Sequence, residues 1–286
     1  FCALLAKADS RDYETWGIHL LDLIDQGYDP ATSIIDGAKG LTKGYEVVLP
    51  KTAIRHDHFH IIMDIKDCGR YITNKEASAV TAALKLYNRA NKWRNENKKH
   101  SLNEAWNTAL LELNKLEETR KQFNLLSSWL QYDILQLAGH SPEIRAELYD
   151  FIVAEMELLA LKHPHRIETI VTSLKSQRVA LLDVSNAINQ QFEGLASQYN
   201  VSTDTIWKLC YAARYDMDTM KYHEAACELE ALLGQKYDEI ENAVLKILEN
   251  THRCSSMIEN FNSRLRPYLD ERKFMSQKSL NLIQFY

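Results

Sequence analysis

Glycine and proline are scarce, nine and five of 286 residues, together about 5% where average usage is roughly 12%. So few turn-formers argue against an all-β sandwich or barrel, a collagen-like repeat and a Pro/Gly-rich linker protein, and they point to long helices. The five cysteines, Cys2, Cys68, Cys210, Cys227 and Cys254, are odd in number, scattered, and nowhere form C-x-x-C. That spacing argues against a disulfide framework and a structural zinc knuckle, and it fits a reducing cytosol. No apolar run approaches the ~18 residues of a membrane span, so no membrane contact is expected. An excess of positive charge is missing too: 34 basic against 39 acidic residues leave a net charge of −5. A polyanion would have to be held by local patches rather than by bulk charge. No signal peptide is expected from the residues present. It begins in an apolar run, Phe1-Cys-Ala-Leu-Leu-Ala6, which reads as a piece begun inside a strand.

What is present divides into three stretches. Residues 1–8 read as a buried strand. Residues 13–26 read as a helix, with Trp16, Leu20, Leu23 and Ile24 at helical spacing and Gly27 at the C-terminal cap. Ser33-Ile34-Ile35-Asp36 and Ala53-Ile54-Arg55-His56-Asp57 read as two further strands around a short helix that ends near Tyr45. A helix is expected from about His58. This alternation predicts an α/β layer in residues 1–66. Residues 67–250 carry only Pro142 and Pro164 and are heptad-like. Leu125, Trp129, Leu130, Ile144, Leu148, Val179 and Leu232 are among the apolar positions that predict five to eight bundled helices. Residues 251–286 return to dense polar signals.

Four places could carry chemistry. Asp36 closes an apolar strand ahead of Gly37-Ala38-Lys39-Gly40. A carboxylate there lies where α/β sheets bind ligands, and it is also a good helix N-cap; both readings stand together. His56, His58 and His60 would share a face, and could ligate a metal, if their segment were one strand. A helix starting near His58 would scatter them, and a strand-end Asp57 with His60 in the next turn is preferred. Glu259 shares a helical face with Asn262 or Ser263 and with Arg266. That is either a surface ion-pair row or a metal-binding acid beside phosphate-binding groups. Lys85, Arg89, Lys92, Arg94, Lys98 and Lys99 face only Glu96 in residues 85–100. Lys85, Arg89, Lys92 and Lys99 fit one stripe, interrupted by Trp93, that could track a phosphate backbone or simply be a solvated face. Residues 224–249, with seven acids and two lysines, would repel DNA.

Three of these pieces, in this order, resemble the DDE-type transposases of bacterial insertion sequences, in wording close to the Mutator-like branch. They are Ile34-Ile35-Asp36-Gly37-Ala38-Lys39-Gly40-Leu41, then Asp57-His58-Phe59-His60, then Ser255-Ser-Met-Ile-Glu259-Asn-Phe-Asn262-Ser-Arg264-Leu-Arg266. Asp12-Tyr-Glu-Thr-Trp16 also looks like the opening of the helix before the second acid. The resemblance covers roughly residues 1–66 and 251–286.

It implies an RNase H-like α/β core, lacking its N-terminal strands and interrupted by a large all-α insertion domain at 67–250. Asp36 and Glu259 would be the second and third catalytic acids, binding Mg²⁺ or Mn²⁺ for phosphodiester hydrolysis and strand transfer on DNA. Lys39, Asn262, Arg264 and Arg266, with Lys85, Arg89 and Lys92, would contact DNA, and Asp57 and His60 would support the site. The partners implied are transposon ends, target DNA and further copies of the chain in a synaptic complex, in the bacterial cytoplasm at the nucleoid. The family's first acid would lie upstream of residue 1, so the chain is expected to be an N-terminally truncated enzyme, inactive by itself. Two other readings are a non-catalytic, transposase-derived helical DNA-binding or interaction protein, and a metallohydrolase using the three histidines.

Overall fold

The computed structural model describes residues 11–35, 38–93, 96–162, 165–251, 263–267 and 276–280, with Leu4, Ala6, Ala8 and Ser10. The chain divides into two compact units. One comprises Phe1–His60 with His252–Tyr286, and the other is Ile61–Thr251; the sequence pattern puts these divisions at 66/67 and 250/251.

The first unit is a small β-α-β arrangement with an added helix. Helix α1, Tyr13–Asp25, starts at Asp12, whose carboxylate accepts from the Thr15 N–H at 2.8 Å. It ends at Gly27, which takes φ +90°. The Gly27 N–H donates to Ile24 O and the Tyr28 N–H to Leu23 O, so the last carbonyls are satisfied in a Schellman turn. Strand β1, Thr32–Ile35, helix α2, Lys39–Val48, and strand β2, Ala53–His56, follow. The strands pair in parallel with Ile35 opposite His56. Helices α1 and α2 cross closely, and a Cβ added to Gly44 would meet the Trp16 Cβ at 3.1 Å. Leu20, Ile35 and Tyr45 form the core here.

The expected RNase H-like α/β core is overturned. Helix accounts for 82% of the described residues, and β1 and β2 form a two-stranded sheet with no third strand among them. Leu4, Ala6 and Ala8 are not in a strand; the other members of the expected strand at 1–8 lie outside the described residues. Along β1 the burial alternates, with Ser33 and Ile35 in and Thr32 out. A central parallel strand would be buried on both faces, and this one is not.

The described residues of the second unit form helices joined by turns and a bend, with no strand. Helix α3, His58–Lys92, crosses into it from the first unit, and α4 is Glu96–Trp129. The two run antiparallel. Gly69 meets Phe123, Glu76 pairs with Arg120, and the Tyr87 and Trp106 rings lie 5.2 Å apart. Helices α5, Pro142–Lys162, and α6, His165–Tyr199, follow, then α7, Thr203–Ala212, α8, Met220–Leu233, and α9, Tyr237–Asn250. Two cores share α6. The first takes Ile167, Ile170, Leu174 and Leu181 from it against α3, α4 and α5. The second takes Val184, Ile188 and Phe192 against α7, α8 and α9.

Between α4 and α5 the chain makes a π-helical turn, Leu130–Ile134, and then an irregular bend. Arg145, 3% exposed, holds that bend. Its guanidinium donates to the carbonyls of Ile134 (2.6 Å), Gln136 (2.5 Å), Leu137 (2.8 Å) and His140 (2.6 Å). A planar fork with five donors can satisfy several diverging carbonyls, and an ammonium cannot span them.

Several apolar positions of the sequence pattern do not join a core. Leu125 is 51% exposed, Val179 79% and Leu232 68%. Periodicity marks an apolar face but not the neighbour that would cover it. No described helix is long and apolar enough to cross a membrane.

Candidate functional site

Parallel pairing brings the carboxyl ends of β1 and β2 side by side. The Asp57 N–H donates to Ile35 O at 2.8 Å, extending the ladder by one bond beyond the strands. Asp57 is then the N-cap of α3. Its fully buried carboxylate accepts from the Phe59 N–H at 2.8 Å through Oδ1, and Oδ2 lies 3.9 Å from Nδ1 of the half-exposed His60. This cap starts the helix at His58, so strand periodicity stops at His56 and the three histidines do not share a strand. His58 is buried and His60 exposed. The one-strand imidazole site is therefore not formed.

Asp36 follows Ile35 in sequence but lies outside the described residues, as do Gly37, Glu259 and Asn262. Lys39, the first residue of α2, is exposed. Arg264 and Arg266 are exposed on either side of the buried Leu265. Residues two apart on a helix point in widely different directions, so these two guanidiniums do not share a face. Among the described residues no three His, Cys, Asp or Glu side chains converge as metal ligands. The segments that carry positions 36 and 259 nevertheless belong to one compact unit, although the whole of Ile61–Thr251 separates them in the chain.

The basic stretch lies on the hairpin of α3 and α4. Lys85, Arg89 and Lys92 are exposed on α3 at i, i+4 and i+7, and among the described residues none is ion-paired with a carboxylate. Lys99 does not continue their stripe. Helix α3 stops at Lys92, Trp93 sits in the break, and Lys98 and Lys99 belong to α4. The Lys98 ammonium stands over the Trp93 ring, 4.4 Å from its centre. Beyond Ile72 the only buried hydrophobic residues of α3 are Ala83 and Ala90, and α4 buries none before Phe123. The distal hairpin is thus a thin arm of mostly exposed surface.

A second cationic place is not among those marked by the sequence pattern. At the base of this arm a groove of about 690 Å³ lies between α3 and the end of α4. It is lined by Lys66, Arg70, Thr73, Asn74, Asn124, Ser127, Ser128 and Gln131 among others. The signal was available in the spacing, since Lys66, Arg70 and Asn74 fall four apart on α3.

No protein-family model, curated protein or solved structure matches the chain.

Proposed function

We propose that the chain is part of a DDE-type DNA transposase, in which Asp36 and Glu259 bind Mg²⁺ or Mn²⁺ and the first unit acts on a DNA phosphodiester. One observation carries this reading: Phe1–His60 and His252–Tyr286 form a single compact unit, and these are the two segments whose wording resembles the family. Two carboxylates are the oxygen donors that hard divalent cations prefer. When bound, such ions polarise a phosphodiester and activate the attacking hydroxyl. Among the described residues no three His, Cys, Asp or Glu side chains converge as metal ligands, and Oδ1 of Asp57 caps α3. The chain's own contribution is then to hold DNA. Lys39, Arg264 and Arg266, all exposed, would take phosphate oxygens, and Asp57 would fix the start of α3 beside the strand ends. Work on paired transposon ends would call for further copies of the chain, and binding DNA would place it at the nucleoid. The helical architecture excludes an RNase H-like sheet as the frame for these acids.

Mn²⁺ uptake by the whole chain, read from loss of the free-ion paramagnetic resonance signal, tests the reading. The unaltered chain takes up Mn²⁺, and Asp36→Asn and Glu259→Gln each weaken uptake at least tenfold. Uptake that is absent, or unchanged in either variant, overturns it. Absent uptake with intact DNA binding would favour the non-catalytic helical DNA-binding reading, which the charge of the α3–α4 arm supports.

A further inference from the structure

We infer that the groove at the base of the α3–α4 arm is a binding site for the phosphate backbone of duplex DNA, continuous with the cations along α3. The inference rests on the DNA reading above and adds a surface that reading does not contain.

Composition of the groove is the first argument. Lys66 and Arg70 line it with Asn74, Asn124, Ser128 and Gln131 beside the apolar Met63, Ile65 and Phe123, and no carboxylate is among the lining residues. Cations with amides and hydroxyls are the groups that contact phosphate and sugar oxygens along DNA. Arg70 pairs with Asp67, but both side chains are at least half exposed. An exposed pair of this kind is worth little, so the guanidinium is free to exchange its partner for a phosphate.

A second, independent observation is Ser127. It lines the same groove, and its hydroxyl oxygen is shielded from solvent with no hydrogen-bond partner among the described residues. A buried hydroxyl without a partner costs free energy, and a turn about the Ser127 Cα–Cβ bond toward an oxygen acceptor in the groove would relieve that cost.

Continuity selects a polymer over a small anion. Lys66, Arg70, Asn74, Ser78, Thr81, Lys85, Arg89 and Lys92 succeed one another at intervals of three or four residues and all are exposed; the Ser78 and Thr81 hydroxyls donate to Asn74 O and Ala77 O, so the donors of the row are the cations and Asn74 at its two ends. Such spacing keeps side chains along one winding row of a helix. At 1.5 Å per residue the row is about 39 Å long, a little more than one turn of duplex. No acid interrupts α3 from Ala77 to Lys92. Residues 77–103 hold six Lys or Arg against Glu96 alone, a local +5 in a chain whose net charge is −5. A free mononucleotide would need the groove and not the row.

The test is duplex binding by the whole chain, read as fluorescence anisotropy of a labelled 24-base-pair DNA over a series of salt concentrations. Each phosphate contact contributes about 0.9 to the slope of log affinity against log salt. Lys66→Gln with Arg70→Gln lowers the slope by about 1.8, and Lys85→Gln, Arg89→Gln and Lys92→Gln together lower it by about 2.7. Lys115→Gln, Lys121→Gln and Lys175→Gln remove equal charge from lysines paired with Glu112, Glu117 and Glu157 and leave the slope nearly unchanged. A groove double variant with the unaltered slope overturns the inference. So does displacement of the duplex by millimolar inorganic phosphate or a mononucleotide, which would mark a small-anion site. Lys66→Gln with Arg70→Gln keeps the Mn²⁺ uptake of the unaltered chain while lowering the salt slope, so failure of the metal reading and failure of this one are told apart.

Discussion

Gly40 and the two buried thiols show what single residues contribute. A Cβ built on Gly40 would stand 2.1 Å from the Arg11 carbonyl oxygen. The D-G-x-x-G wording therefore has a packing reason at its second glycine whatever Asp36 does: helix α2 starts against the backbone that leads into α1. Cys68 and Cys210 are nearly inaccessible. Burial pushes the Cys68 thiol up to about 11 against the opposing pull of Arg166. Burial likewise raises Cys210 to about 11, opposed by a backbone hydrogen bond at Gly139 and by Arg145. Both folded values exceed the unfolded value of 9.0, so the fold favours the neutral thiol. Its contribution is whole below pH 9 and is lost as pH rises toward 11, at most about 2–3 kcal/mol for each thiol. Denaturant midpoints at pH 8, 9.5 and 10.5 should fall more steeply for the unaltered chain than for Cys68→Ala/Cys210→Ala. Parallel curves would assign the loss to the tyrosines instead.

At the scale of elements, what was legible had local chemistry at both ends. Asp12 and Gly27 bracket α1 to within a residue of the expected 13–26. Asp57 caps α3, placing its start where the sequence put it. The break after Lys92 contains no glycine or proline, so sequence carried the basic stripe on to Lys99 when that lysine belongs to α4. Arg145 was invisible for another reason: a charged residue within a helical pattern reads as solvent-facing, and its burial depends on a bend some ten residues earlier. Helix α6 was readable as a helix but not as the rod common to two cores. The changeover falls between Leu182 and Val184, so Asp183→Pro places a helix breaker at the junction. The missing N–H and the ring's clash with the preceding turn cost about 3 kcal/mol or more. Calorimetry should then resolve two transitions where the unaltered chain shows the second unit melting in one. A single transition at an unchanged midpoint would mean that the cores do not depend on a continuous α6.

On the scale of the molecule, the helical character followed from the scarcity of glycine and proline, whereas the sheet did not follow from three strand-like runs. A strand needs a partner, and runs of four residues state only what they would do if one were present; β1 and β2 found each other. Positions 36 and 259, with most of the residues after 251, lie outside the described residues, so the site proposed there rests on the two segments sharing a unit. That division has a consequence of its own. Ile61–Thr251 contains both large cores, the Arg145 bend, the basal groove and the arm. A fragment spanning 57–251 also keeps the Asp57 cap of α3, which is worth about 1 kcal/mol. It should therefore fold alone, giving a helical circular dichroism spectrum and a cooperative melt. It should keep the salt-dependent duplex binding of the whole chain while taking up no Mn²⁺, since Asp36 and Glu259 are both outside it. A fragment that folds but does not bind duplex would move the DNA surface into the first unit. A fragment that binds Mn²⁺ as the whole chain does would remove the two acids from the metal site.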